Sequence, residues 1–188
     1  WPQGDDALHA RFVTIRHIRP DAQELDVDIA HHAGGLISDW AALATNGDKV
    51  GVIGPGGDPK LPETDNIILA GDYTGLPGLA RLIESVKGKA TGFVVAAAPS
   101  QAKLKRYLPE SDLNIRAIDP AKFAAEAHEV IADCSRRHVP RYAWFGGEFQ
   151  TAQNLRGMFK KEYGMTKHNQ MCVAFWRAGD PGHSSRAL

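Results

Sequence analysis

The sequence predicts an α/β fold in two parts: a partial antiparallel β-barrel followed by a five-stranded parallel sheet with helices on both faces. Three observations carry this. Residues 23–31, QELDVDIAH, alternate apolar and acidic side chains with period two, which gives a strand with one dry and one wet face. After residue 65, short apolar runs alternate with segments of helical spacing, the pattern of a parallel sheet covered on both sides. Between them, GPGGDPKLPE (54–63) is the chain's densest Gly and Pro stretch, as in a linker. The expected domains are 1–59, a partial barrel, and 60–188, an α/β unit.

Taken in order, RFVTIRHIR (11–19) interleaves β-branched and aromatic residues with basic ones. It pairs with 23–31 as a hairpin around an Asp21-Ala22 turn. Gly34-Gly35 precedes a short helix at 36–44, with Ile37, Trp40 and Leu43 on one side. Asn46-Gly47-Asp48 is a turn, and KVGVIG (49–54) reads as another strand. The parallel strands are expected at 66–71, 92–97, 113–118, 141–146 and 171–176, and the helices at 75–87, 100–107, 120–137 and 149–163. Asp119-Pro120 supplies an acidic cap and a first-turn proline.

The chain has 188 residues, 43% of them hydrophobic, and 22 basic against 22 acidic side chains. Zero net charge argues against bulk attraction to nucleic acid or anionic membranes. The apolar runs are too short for a membrane-spanning segment. The opening WPQGDDALHA has neither the basic region nor the apolar core of a signal peptide. Trp1 in place of Met gives the expectation of a start that was trimmed, processed or not recorded. Two cysteines, Cys134 and Cys172, are too few for a disulfide framework and read as buried thiols in a cytoplasmic protein. Adjacent His31 and His32 face opposite sides of an extended chain, so no metal site is expected from them.

The stretch LAGDYTGLPGLARLIE (69–84) joins the first parallel strand to its helix. Ligands bind such sheets at the carboxyl ends of the strands. The helix N-terminus there favours an anion, Gly71 and Gly75 let a ligand approach the backbone, and Thr74 offers a hydroxyl. A dinucleotide pyrophosphate suits this loop; so does a plain strand-to-helix turn capped by Asp72.

Read with its neighbours, this loop is one of five ordered blocks that resemble the siderophore-interacting protein family, within the ferredoxin–NADP reductase superfamily. RFVTIR (11–16) is similar to the family's R-x-Y-[TS]-x-R, and residues 24–57 resemble its next block. LAGDYTGLPGLARLIE, YAWFGGE (142–148) and VAFWRAG (173–179) supply the others. The resemblance implies FAD on the first part and NAD(P)H on the second. Arg11 would meet the FAD phosphates, Thr14 the flavin or its ribityl chain, and His31 or His32 would lie along the cofactor. Gly35, Leu36, Ile37 and Ser38 would hold the pyrophosphate. Asp72, Thr74, Gly75, Gly147, Glu148 and Trp176 would border the second cleft. The chain departs from the family at Val13, where the motif has Tyr beside the flavin, and at Tyr73, Gly75 and Ala174-Phe175. The motif also begins at residue 11, ahead of which the family has several barrel strands.

The activity implied is electron transfer from NAD(P)H through FAD to a ferric siderophore, with release of Fe(II). The basic clusters Lys103, Lys105, Arg106 and Lys160, Lys161, Lys167 would attract an anionic siderophore, and read equally as solvated helix faces. The alternative is a degenerate, non-enzymatic subunit. In both cases a protein partner or an N-terminal segment is expected to complete the barrel, because Leu25, Val27 and Ile29 need a covering layer.

Overall fold

The computed structural model describes residues 10–32, 34–54, 56, 61, 64–136, 139–180 and 186–187. The antiparallel part is a ribbon of β1 (Ile15–Arg19) and β2 (Glu24–Val27), followed by helix α1 (Leu36–Leu43). The α/β part runs β3 (Asn66–Gly71), α2 (Leu76–Val86), β4 (Thr91–Ala97), α3 (Gln101–Tyr107), β5 (Asn114–Ile118), α4 (Phe123–Ser135), β6 (Tyr142–Glu148), α5 (Phe149–Tyr163) and β7 (Gln170–Trp176). The sheet order is β5-β4-β3-β6-β7, with each of these neighbours parallel. A two-residue β8 (Arg186–Ala187) adds an antiparallel edge beside β7, one strand more than expected.

The chain winds outward from β3 to β5, returns through α4, and winds the other way from β6 to β7. The reversal puts the two halves of the sheet back to back at β3 and β6. Right-handed crossovers then place the helices of each half on opposite faces. On one side, Ile68, Ala70, Val95 and Phe145 pack with α4 and α5. On the other, Ile67, Leu69, Val94 and Trp144 pack with α2 and α3. Alternate residues of each strand serve opposite cores, which is why these strands read as unbroken apolar runs.

Three local expectations are corrected. KVGVIG is not a strand: no pairing partner lies beside it among the described residues, and Val50, Val52 and Ile53 are exposed. Its alternation therefore reflects side-chain choice without a ladder to satisfy the backbone. The hairpin is shorter at both outer ends than 11–19 and 23–31, with a register irregularity between Ile15 and His17. Helix α4 starts at Phe123 rather than 120, because Asp119 holds the preceding turn through Ala121 N to its Oδ1 (2.9 Å) and Lys122 N to its carbonyl (2.9 Å). Most of the expected linker 54–63 lies outside the described residues, as do residues 1–9 and His138.

The ribbon docks on α2 and α3 through two polar links. Arg16, only 8% exposed, donates from Nη1 to Glu84 Oε1 at 2.8 Å. The Tyr107 hydroxyl donates to Asp28 just beyond β2. Burial first, then the Asp28 carboxylate, push the Tyr107 phenol up. Ile18, Leu25 and Val27 of the ribbon are exposed, and no covering layer stands over them among the described residues.

Both cysteines are buried and unpaired. Burial raises the Cys134 thiol and pushes Cys172 up to about 12. Thiolate is the reactive form, so burial of both thiols suppresses their reactivity. A chromogenic disulfide reagent should find both thiols silent in the native protein and both reactive in denaturant.

Candidate functional site

The reversal point between β3 and β6 is where an open α/β sheet forms its ligand crevice, and the chain concentrates polar atoms there. Asp72, at the end of β3, divides its carboxylate between two tasks. Oδ1 accepts from Thr74 N at 2.8 Å and Thr74 Oγ1 at 2.6 Å, closing its own loop. Oδ2 accepts from Glu148 N at 2.8 Å and from Trp176 Nε1 at 2.8 Å, reaching the ends of β6 and β7. Glu148 in turn caps α5, accepting from Thr151 N at 2.9 Å, and its other oxygen accepts from Ala178 N at 3.3 Å. The Arg177 guanidinium stands 4.5 Å above the Phe149 ring, a cation–π contact at the same rim.

Glycine is required where the two loops touch. A Cβ on Gly75 would lie 2.2 Å from the Gly146 carbonyl oxygen, and one on Gly147 would lie 2.5 Å from Asp72 Oδ2. Both distances are below any real contact, so the β3 and β6 loops meet backbone to backbone. The glycines of this loop thus serve its contact with the neighbouring strand, and Asp72 takes the Thr74 amide and hydroxyl. Asp72, Thr74, Gly75, Gly147, Glu148 and Trp176 come together as one constellation.

The second constellation surrounds the start of α1. Gly35 is the N-cap and has no side chain with which to cap this helix. Its first intrahelical bond is from Asp39 N to Gly35 O at 2.7 Å, so the first-turn amides of Leu36, Ile37 and Ser38 precede the ladder. The fully buried Ser38 hydroxyl accepts from His32 N at 3.0 Å and lies 3.3 Å from His31 Nδ1. A Cβ on Gly35 would meet the His32 ring at 2.3 Å. Uncapped first-turn amides beside two imidazoles are a donor set that fits a diphosphate. Arg11, Val13 and Thr14 lie just ahead of β1; Arg11 Nη1 donates to Ala10 O at 2.8 Å, and Val13 is exposed.

Sequence reasoning passed over Asp72 as a hub and over Phe149, Arg177, Glu84 and Tyr107 as contact residues. Arg16 and the Arg177 position stood inside recognised blocks, which was the available signal. Nothing in the sequence marks the 104-residue separation between Asp72 and Trp176 as a contact.

Comparison with known proteins identifies the family to which this fold belongs. Residues 64–179 match the siderophore-interacting protein family, and residues 1–59 match the siderophore-interacting FAD-binding domain. Ferric vibriobactin reductase ViuB of Vibrio cholerae is 26% identical over 189 residues, covering 95% of this chain and 68% of that protein. The NADPH-dependent ferric-chelate reductase of Escherichia coli K12 is 30% identical, covering 95% and 70%. The crystal structure of the siderophore-interacting protein SipS from Aeromonas hydrophila superposes with a TM-score of 0.80 at 27% identity, covering 95% of this chain and 76% of that one. The chain belongs to the siderophore-interacting protein family. The match over residues 1–59 supports FAD as a cofactor, and the Escherichia coli relative is named as NADPH-dependent.

Gly75→Ala tests the loop contact. The methyl cannot fit without parting β3 from β6, so the variant should lose about 1–3 kcal/mol, read as a lower urea midpoint with unchanged slope.

Proposed function

We propose that the protein is a reductase that passes electrons from NADPH through FAD to a ferric siderophore and releases Fe(II). The observation that carries this is the uncapped first turn of α1 inside the segment matching the FAD-binding domain. Its amides, with Arg11, would hold the diphosphate, and His31 and His32 would flank it. Thr14 would meet the flavin or its ribityl chain. Thr74, Gly147, Glu148 and Trp176 would border the nicotinamide side. On this reading the flavin sits on residues 1–59 and the nucleotide on 60–188.

A bound FAD supplies the conversion of a two-electron hydride from NADPH into single electrons for Fe(III). Fe(II) binds such chelators weakly and leaves. The protein's part is orientation and electrostatics, and no side chain is assigned as acid, base or nucleophile. Relatives named as reductases favour this reading over a non-catalytic subunit.

The test uses the full chain loaded with FAD under anaerobic conditions. NADPH should bleach the flavin absorption band, and a ferric siderophore should restore it with Fe(II) appearing in a ferrous-specific chelator. A loaded flavin that ignores NADPH, or that a ferric siderophore does not reoxidise, would overturn the proposal. Arg11→Ala should weaken FAD by about tenfold to a hundredfold, the scale of one charge-assisted phosphate contact.

A further inference from the structure

Trp176 is the large aromatic side chain at the carboxyl end of β7, and it is 42% exposed. An indole carries one polar atom, the Nε1–H donor. Here that donor is already committed to Asp72 Oδ2 at 2.8 Å. The ring therefore has nothing polar left to offer solvent. What it presents is an aromatic surface at the rim of the crevice, fixed in one orientation by a bond made 104 residues away.

The same oxygen also accepts from Glu148 N at 2.8 Å. The anchor of the indole is thus itself tied to the β6–α5 junction, and through Oδ1 to the β3 loop. An exposed aromatic held in this way loses little further freedom when a ring stacks on it. A carboxylate accepting the indole N–H also pushes electron density toward the ring, which strengthens attraction for a cationic or electron-poor partner.

We propose that Asp72 is a positioning residue that sets Trp176 as a stacking platform for the electron-poor pyridinium ring of an oxidised nicotinamide nucleotide. The choice of ligand rests on the function proposed above; the link from Asp72 to Trp176 does not. On this view Asp72 acts through the indole and makes no contact of its own with the nucleotide.

Asp72→Asn removes the charged acceptor of the indole whichever way the amide turns, because one donor pair then faces an NH2 group and the other a neutral carbonyl oxygen. Thr74→Val is the control that removes only the hydroxyl on Oδ1. The emission of Trp176 is isolated by subtracting the Trp176→Phe spectrum in each background. Acrylamide quenching of that component should rise about twofold or more in Asp72→Asn, since the charge-assisted bond that fixes the rotamer is gone, and stay unchanged in Thr74→Val. NADP+ should bind about tenfold more weakly, about 1.4 kcal/mol, in Asp72→Asn and in Trp176→Phe. The double variant should bind no more weakly than Trp176→Phe alone.

Unchanged quenching in Asp72→Asn overturns the positioning role. A further loss of NADP+ affinity in the double variant also overturns it, because Asp72 would then touch the nucleotide directly. Failure of the wild-type chain to bind NADP+ overturns the platform together with the electron donor of the proposed function, while the quenching comparison still decides the link. If Asp72→Asn does not fold, the wild-type protein decides the link: the Trp176 indole N–H, assigned by its loss in Trp176→Phe, should exchange slowly with solvent in a nitrogen–proton spectrum. Fast exchange there overturns the link.

Discussion

The structure depends on one carboxylate. Asp72 terminates β3 at the place where the sheet reverses its winding, and its two oxygens accept four hydrogen bonds from the β3 loop, the β6–α5 junction and the β7 end. A parallel sheet has no ladder bonds beyond the ends of its strands, so its loops must find other partners. Here a short polar side chain supplies them for three loops at once. Remove it, and the amides of Thr74 and Glu148 and the Trp176 indole lose a common acceptor.

That arrangement demands glycine around it. Because the β3 and β6 loops approach until a Gly75 Cβ would sit 2.2 Å from a carbonyl oxygen, backbone contact sets the crevice together with the Asp72 carboxylate. Backbone contacts of this kind fix position more tightly than flexible side chains do. Tyr73, Trp176 and Arg177 are exposed along this rim.

The two halves of the chain solve the anion problem differently. At α2 the approaching loop is closed by Asp72, which takes the Thr74 amide and hydroxyl internally. At α1 the N-cap is Gly35, which has no side chain to play that part, and its first-turn donors leave amides for an external acceptor. The ribbon that leads into α1 is pinned to α2 and α3 by Arg16–Glu84 and Asp28–Tyr107. The position of the α1 region relative to the sheet thus rests on polar links, since its own apolar residues remain largely exposed.

The sequence by itself determined the α/β unit, because each parallel strand and helix announces itself within a dozen residues. Ile67 to Ala70 is apolar on both faces, the helical stretches space their apolar residues by three and four, and Gly75 marks a close approach. The family blocks were equally local, and so the residues of both constellations could be named. What only the tertiary structure decided were interactions between residues far apart in the chain. KVGVIG has the composition of a strand, yet a strand exists only if a neighbour takes its backbone bonds, and composition does not report the neighbour. Glu84 and Tyr107 looked like ordinary helix-end residues until Arg16 and Asp28 met them. Asp72 looked like a helix cap; that it also holds Trp176 follows from the strand order β3-β6-β7, which places residues 72, 148 and 176 side by side at one edge of the sheet.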